Sequence, residues 1–227
     1  MKRSEINAVI RRFEKMLGEH CFMLPPFLSF TPEEWQTKGH EYDEIRDNML
    51  GWDVTDSGMG DYANLGLALI TIRNGNVHNP KYTKAYAEKI MMCDEGQVSP
   101  MHFHWNKMED IINRGGNDIV FTLYNANKNE GLDETSDVEI FQDGRRYKVP
   151  AGQPIVLKPG ESLSLYPYYY HEFTIPKGGG SVLIGEVSMC NDDNTDNRFL
   201  NPLGRFPTIE EDEPPYRLLC NEYPDAV

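Results

Sequence analysis

The feature that most constrains the fold of this chain is a run of histidines and a glutamate bounded by glycines. His102 and His104 are followed by Glu109, and Gly96 and Gly116 flank them with the spacing G-x5-H-x-H-x4-E-x6-G. Side chains alternate between the two faces of a β-strand, so the two histidines face the same way. The glycines suit turns at strand ends. The run therefore predicts two short strands joined by a turn.

The same run carries the chemistry of a metal site. A turn through Trp105, Asn106 and Lys107 would bring Glu109 back beside the histidines on the next strand. Two imidazoles and a carboxylate at one point form half of a site whose ligands suit Mn, Fe, Zn, Co or Ni. The alternative is that these are ordinary polar residues on two exposed strands.

Beyond Gly60 the chain consists of short strands separated by turn signals. Asn74-Gly75 and Asp143-Gly144 are typical of tight turns between strands. The segments predicted to be strands are 65–76, 85–92, 101–105, 108–113, 119–124, 138–141, 146–149, 154–157, 162–166, 171–175 and 182–188. Many short strands at regular spacing favour a sandwich or a barrel, so the predicted class is all-β.

The two ends of the chain differ from this central region. An apolar stripe at helical spacing predicts an amphipathic first helix, with the stripe formed by Ile6, Val9, Ile10, Phe13 and Leu17. Thr31-Pro32 begins a capping box, and a third short helix is predicted over 42–50. We expect a single domain, with a helical arm over 1–60, a β-barrel over 61–200 and a proline-rich surface tail over 201–227.

The helical stripe needs a partner, which is either the barrel of its own chain or a second subunit. Exposed apolar faces of this kind mark interaction surfaces. We expect a two-fold homodimer on this ground.

Composition excludes several classes of protein. The formal net charge of −14 argues against binding to nucleic acid or to anionic membranes. No window approaches the ~18 apolar residues of a spanning helix. Charges interrupt the apolar positions of the first 17 residues, which is untypical of a signal peptide. The four cysteines have no C-x-x-C spacing, which predicts free thiols in a cytoplasmic protein.

The glycine-bounded run resembles the first motif of the cupin superfamily in full. The second cupin motif is matched more loosely, by Gly152, Pro159-Gly160 and Pro167 ahead of His171. Tyr168 stands where the family has a glycine, and Ile175 where it has an asparagine. The resemblance implies a jelly-roll β-barrel that holds a metal ion through His102, His104, Glu109 and His171.

Three longer blocks resemble one family within that superfamily, the D-lyxose ketol-isomerases. The blocks are HFHWNKMEDIINRGG, PGESLSLYPYYYHEF and GEVSMCNDDNTDNRF. This resemblance covers nearly the whole chain. It implies a metal-dependent aldose–ketose isomerase that interconverts free D-lyxose and D-xylulose, with D-mannose and D-fructose as a further pair. It also implies one divalent ion per chain, Mn2+ first, with Zn2+, Co2+, Fe2+ and Ni2+ as alternatives.

Moving a proton between C1 and C2 of a sugar needs a base, an electrophile and groups that hold hydroxyls. Glu186 lies within an apolar strand, where an unpaired carboxylate is costly, and it is the first candidate for the base. Lys107, in the turn between the ligand strands, is the candidate to assist at the sugar oxygens. The alternatives are a solvent-exposed charge at the barrel mouth for Glu186 and a solvated turn lysine for Lys107.

Five further residues are candidates for substrate binding. Lys89 is a charge within an earlier apolar strand, and it would contact the sugar or pair with Glu186. Asp192 and Arg198 lie in a polar loop and would hold distal hydroxyls, unless that loop is only a solvated connection. Trp105 and Phe173 would form apolar walls, or serve as core aromatics.

Two other functions fit the same ligand set. An iron dioxygenase of the cupin superfamily would line its pocket with apolar residues, whereas the candidate lining here is charged. A sugar-binding module without turnover is the second alternative, and Glu186 argues weakly against it. No glycine-rich segment has the strand-to-helix context of a phosphate cradle, so an unphosphorylated sugar is favoured.

Overall fold

The computed structural model describes residues 1–227 as a barrel of two antiparallel sheets with the long N-terminal helix on the outer face of the larger sheet. The strands are β1 (Gly51–Thr55), β2 (Leu67–Arg73), β3 (Tyr86–Cys93), β4 (Val98–Phe103), β5 (Glu109–Gly116), β6 (Ile119–Ala126), β7 (Leu132–Asp133), β8 (Val138–Gln142), β9 (Arg145–Val149), β10 (Ile155–Leu157), β11 (Ser162–Leu165), β12 (Tyr169–Thr174), β13 (Val182–Met189) and β14 (Arg198–Phe199). The helices are α1 (Arg3–Glu19), α2 (Pro32–Trp35), α3 (Asp43–Asp47) and α4 (Tyr62–Leu65). Short 3-10 turns cover Pro26–Ser29 and His40–Tyr42.

The strand order defines two facing sheets. The larger sheet has eight strands in the order β1-β2-β3-β13-β5-β11-β8-β9. The smaller one runs β10-β6-β12-β4-β14, and β7 pairs with β6. Inward side chains of both sheets, among them Phe121, Leu163 and Ile184, form one buried cluster between them. This architecture confirms the predicted all-β, cupin-type barrel with an N-terminal helix.

Helix α1 covers the outer face of strands β1 to β3. Its apolar stripe is fully buried there, and Phe13 packs edge-on against Trp52 with ring centroids 5.7 Å apart. Each buried side chain of this size contributes about 1.5–3 kcal/mol relative to an exposed one. The stripe is therefore buried within its own chain and needs no second subunit. The homodimer stays a prediction, but the stripe does not support it.

Strand β1 lies inside the segment expected to form only a helical arm. All five of its residues are buried, because Trp52 and Val54 face α1 while Asp53 faces the barrel interior. A strand covered on both faces has no clean alternation of apolar and polar residues, so the period-two signal fails. The third helix ends at Asp47, and Met49 follows with a φ of 54°.

The C-terminal tail crosses the start of α1 and contacts both α1 and β1. Lys2 forms a β-bridge with Glu210, and Trp52 forms one with Leu219, which is 1% exposed. The buried guanidinium of Arg3 pairs with Glu211 and with Glu222. The two ends of the chain thus stabilise each other.

Each segment predicted to be a strand overlaps an observed one, and the strands missed are β1, β7 and β14. The four cysteines are free thiols, as their spacing predicted. None of the helices combines the length and apolarity that crossing a membrane requires.

Candidate metal centre and active site

Three histidines converge inside the barrel. His102 on β4 and His171 on β12 are cross-strand partners, and His104 follows β4 on the same face. The imidazole nitrogens that face each other all lie within 4.8 Å. Histidines this close together can bind a metal ion. The period-two expectation for His102 and His104 is met, and strand pairing brings in the third histidine.

Hydrogen bonds to the main chain set the tautomer of each ring. Every Nδ1 faces a backbone carbonyl, which can only accept, so Nδ1 carries the hydrogen. The Nδ1 to O distances are 2.8 Å from His102 to Pro100, 2.7 Å from His104 to Asp196 and 3.0 Å from His171 to Tyr169. The Nε2 lone pairs are consequently left for the centre, which is the arrangement of metal-binding histidines.

Glu109 completes the cluster at the start of β5. Its Oε1 atom lies 3.3 Å from Nε2 of His104 and 3.2 Å from Nε2 of His171. The lone pairs of these Nε2 atoms then face the lone pairs of the carboxylate oxygen, which is repulsive. Nε2 of His104 is also buried with no hydrogen-bond partner. A cation held between these atoms removes both penalties. The residues therefore fit a metal site of three nitrogens and one carboxylate oxygen, a set that suits a divalent transition metal.

The protonation states also favour metal binding. Burial, and then the neighbouring His171 and His104, lower the pKa of His102 well below its usual range. Burial would raise the pKa of Glu109, but Lys107, His104 and His171 together outweigh it and hold that pKa well below its ordinary value. A neutral imidazole and an ionised carboxylate are the forms that ligate metals.

Beside the histidines lies a buried cluster of charges. Lys107 Nζ is 2.7 Å from Glu109 Oε2 and 3.2 Å from Glu186 Oε1, and Lys89 Nζ is 3.4 Å from the same Oε1. Each of these four side chains is no more than 6% exposed. Burial would lower the pKa of Lys107, but Glu109, Glu186 and Asp193 raise it above its usual value. Lys107 is therefore a charged, paired lysine inside the barrel, not a solvated one.

Strand register explains why Glu186 and Lys89 meet. They are direct cross-strand partners on β13 and β3, which are neighbouring interior strands of the larger sheet, and both face inward. A carboxylate and an ammonium at paired inward positions compensate each other where an isolated charge would be costly. The pairing of Lys89 with Glu186 was one of the two expectations for this lysine.

A cavity of about 310 Å³ joins the histidines to the charge cluster. Its lining includes all four candidate metal ligands, the charged Lys89, Lys107 and Glu186, and the apolar Leu69, Met91 and Phe173. Small-molecule sites combine an apolar wall with a few convergent polar groups, and their volumes begin at about 300 Å³. The cavity suits a small polar ligand, and Phe173 is part of its apolar lining.

Three of the predicted substrate-binding residues lie outside the lining of this cavity. Trp105 donates to Glu130, and Arg198 pairs with the same glutamate. Asp192 accepts hydrogen bonds from Thr195 and contacts His78. The loop that contains Asp192 has no strand register, so its sequence does not tell which of two adjacent aspartates points inward.

The structure places a different acidic and basic pair at the cavity. Arg205 contacts Asp193 through Nη2 at 2.8 Å and the buried Asp53 through Nη1 at 2.5 Å. Burial would raise the pKa of Asp193, but Lys89 and Arg205 hold it well below its usual range. Asp53 carries the signal that identified Glu186, a carboxylate within an apolar strand, whereas Arg205 lies in an irregular segment that offers no signal.

Solved structures that share this fold include sugar isomerases. The L-ribose isomerase of Cellulomonas parahominis superposes with a TM-score of 0.59 at 14% identity, covering 92% of this chain and 98% of that one. The L-ribose isomerase of Acinetobacter sp. DL28, in complex with L-ribose, gives 0.59 at 12% identity with the same coverage. At these identities the likeness establishes the fold alone.

Sequence comparison is more specific. The D-lyxose/D-mannose isomerase of Serratia proteamaculans is 50% identical over 224 residues, which is 98% of both chains. The D-lyxose/D-mannose isomerase of Escherichia coli O157:H7 is 49% identical over the same length and shares. The family model for D-lyxose isomerase matches residues 1–223. The protein is therefore a sugar isomerase, and the chain belongs to the D-lyxose isomerase family.

Proposed function

We propose that this protein interconverts D-lyxose and D-xylulose, with D-mannose and D-fructose as a second pair, by proton transfer through an enediol. The observation that carries the proposal is the buried Glu186 carboxylate, which shares one cavity with the four candidate metal ligands. The curated relatives named as D-lyxose/D-mannose isomerases support the choice of sugar. The cavity wall, with its buried lysines and carboxylates, is suited to a polyol.

Glu186 acts as the base in this proposal. The contacts of both lysines are with its Oε1 atom, and Oε2 accepts no hydrogen bond from the protein. Oε2 is thus available to take a proton from C2 and return it to C1. Glu109 suits this role less, because Oε1 faces two imidazoles and Oε2 contacts Lys107 at 2.7 Å.

His102, His104, Glu109 and His171 would hold one divalent ion per chain, with Mn2+ preferred. When bound, such an ion supplies Lewis acidity toward the sugar oxygens and lowers the cost of charge that develops on them. The lone pairs directed at one point, and the unpartnered Nε2 of His104, support this assignment.

The remaining polar groups would hold and orient the sugar. Lys107 has its ammonium between Glu109 and Glu186, where it would donate to an oxygen at C1 or C2. Lys89, Asp193 and Arg205 line the cavity beside it and would hold distal hydroxyls. Since Asp192 and Arg198 lie outside the lining, Asp193 and Arg205 replace them in the proposal.

The alternative activities receive less support. A dioxygenase pocket for an aromatic or acyl substrate would not need the buried cluster of Lys89, Lys107 and Glu186. A binding module without turnover would not need a buried carboxylate with one oxygen free of protein hydrogen bonds at the cavity. Both alternatives are open to direct measurement.

The decisive experiment is metal removal followed by a panel of free sugars. Chelated protein should be inactive, and Mn2+ should restore conversion of D-lyxose to D-xylulose better than the other divalent ions. Oxygen consumption with an iron-loaded sample serves as the test for dioxygenase activity. Full activity after chelation would refute metal dependence, and turnover of none of the pentoses or hexoses would refute the isomerase assignment for this substrate class.

We also retain the homodimer as a proposal, without the support of the α1 stripe. Light scattering at micromolar protein concentration measures the mass directly. A mass of 26.1 kDa would be that of a monomer.

A further inference from the structure

The segment between β13 and β14 forms one edge of the cavity. It contributes Asp193, Asn194 and Asn197 to the lining. The same segment lies against the turn that connects β4 to β5 and carries Lys107. Asp196 joins these two parts of the molecule, and it is only 7% exposed.

Asp196 contacts the turn through its side chain and a candidate metal ligand through its main chain. Its carboxylate accepts the backbone N–H groups of Asn106 at 2.9 Å and of Lys107 at 2.8 Å. The Asn106 side-chain amide donates to it at 3.1 Å. Its own carbonyl oxygen accepts from Nδ1 of His104 at 2.7 Å. A single residue therefore orients His104 and fixes the backbone from which Lys107 extends.

The chemistry of these contacts suits a positioning role. Backbone N–H groups bound by an ionised carboxylate form charge-assisted hydrogen bonds, about twice as strong as neutral ones. The contact from a carbonyl to Nδ1 fixes the ring plane and tautomer of a histidine ligand. The carboxylate and the carbonyl belong to one residue, so Asp196 holds both the turn that carries Lys107 and the ring of His104. The cavity edge and the metal centre are thus joined at this residue.

We propose that Asp196 is a positioning residue that holds His104 Nε2 and Lys107 Nζ in place and couples them to the cavity edge at Asp193 and Asn194. The expected effect of Asp196 on turnover rests on the proposed isomerase function. The expected effect on metal affinity does not, so the proposed function and the role of Asp196 can be refuted independently.

Asp196→Asn is the direct test, because it keeps the size of the side chain and the main-chain carbonyl. It removes the charge and sets an NH2 group against one of the two backbone donors. Asp143→Asn is the matched control, since Asp143 accepts the N–H and hydroxyl of Ser162 at 2.8 and 2.9 Å in a turn outside the cavity. For each protein we would measure Mn2+ affinity by chelator competition, kcat and KM for D-lyxose, and unfolding by urea.

Asp196→Asn should bind Mn2+ about 10–100-fold more weakly, as expected when an outer partner of a metal ligand is lost. Its kcat should fall by a similar factor, with a much smaller change in KM. Asp143→Asn should leave Mn2+ affinity, kcat and KM unchanged. Wild-type Mn2+ affinity and kcat in folded Asp196→Asn, even with reduced stability, would overturn the proposal.

Asn106→Ala provides a second test if Asp196→Asn does not fold. It removes the 3.1 Å contact and keeps both backbone contacts. Smaller losses of Mn2+ affinity and kcat in the same direction are expected, and wild-type values for both would then overturn the proposal. If the unmodified protein turned over no sugar, the proposed function would fail, while the Mn2+ affinities would still decide the role of Asp196.

Discussion

Replacing Glu186 with glutamine removes the basicity of the proposed base and leaves the shape of the side chain almost unchanged. The amide oxygen can still accept from Lys107 and Lys89, which lie 3.2 and 3.4 Å from Glu186 Oε1. Each lysine also keeps another acceptor. Lys107 retains Glu109 at 2.7 Å, and Lys89 retains Asn191 at 2.6 Å. The variant should therefore fold and hold the metal.

The effect of this change on stability and its effect on turnover should differ in size. Weakening two hydrogen bonds from a charged to a neutral acceptor should lower the free energy of unfolding by about 1–2 kcal/mol. A positioned base contributes about 10²–10⁴ to turnover, which corresponds to about 3–5 kcal/mol of activation free energy. The rise in activation free energy, calculated from the loss in kcat, should therefore exceed the loss in the free energy of unfolding.

The assay is conversion of D-lyxose to D-xylulose with Mn2+ present, together with Mn2+ affinity and urea unfolding of the same samples. Glu88→Gln is the matched control. Glu88 precedes Lys89 on β3, faces the opposite side of the sheet and pairs with Arg73 at 3.0 Å. Glu88→Gln should retain wild-type kcat. Both Glu88→Gln and Glu186→Gln should retain wild-type Mn2+ affinity.

Turnover of Glu186→Gln near that of the unmodified protein would refute the assignment of the base. A second measurement addresses the route itself. Isomerisation in D2O should place solvent deuterium at C1 of the ketose, because the proton on Glu186 exchanges with water between transfers. Complete retention of the C2 hydrogen in the product would contradict the enediol route whichever residue is the base.

Three further outcomes are expected. His171→Ala should lose most of its bound Mn2+ on dialysis, and full occupancy by metal analysis would remove that residue from the site. The metal-free protein should lose stability as the pH falls below 6.5, the ordinary value for histidine, because the unfolded chain takes up a proton that buried His102 resists. Glu109, whose pKa is lowered in the folded protein, adds a further loss of stability below pH 4.5, its ordinary pKa. Urea unfolding from pH 8 to pH 4 measures both losses. In His102→Gln the free energy of unfolding should no longer change with pH above pH 5. Phe13→Ala should lower the free energy of unfolding by about 3–5 kcal/mol, since the ring is fully buried against Trp52, and a change below about 1 kcal/mol would show that α1 is not bound there.

Much of the fold followed from local pattern. Period-two alternation and glycine-marked turns located most strands, and the apolar stripe located α1. The two-residue spacing of His102 and His104 put both on one face of a strand without knowledge of the rest. Glu186 and Lys89 stood out because a charge within an apolar strand needs a partner or a function.

The tertiary structure decided what local pattern cannot express. Strand β1 was hidden because both of its faces are covered, which removes the alternation that marks a strand. The stripe of α1 has the same sequence whether it is buried by its own barrel or by a second subunit, and only the packing distinguishes them.

The same distinction applies to the site. In a segment without strand register, the sequence does not specify which of two adjacent side chains points inward. Only the folded structure therefore shows that Asp193 and Arg205 line the cavity and that Asp196 contacts the site. The sequence by itself determined which side chains carry the chemistry, since a residue's type and the periodicity of its neighbours are local properties. Which of them meet depends on cross-strand register and on irregular segments far away in the chain, and these are set by the packing of the whole barrel.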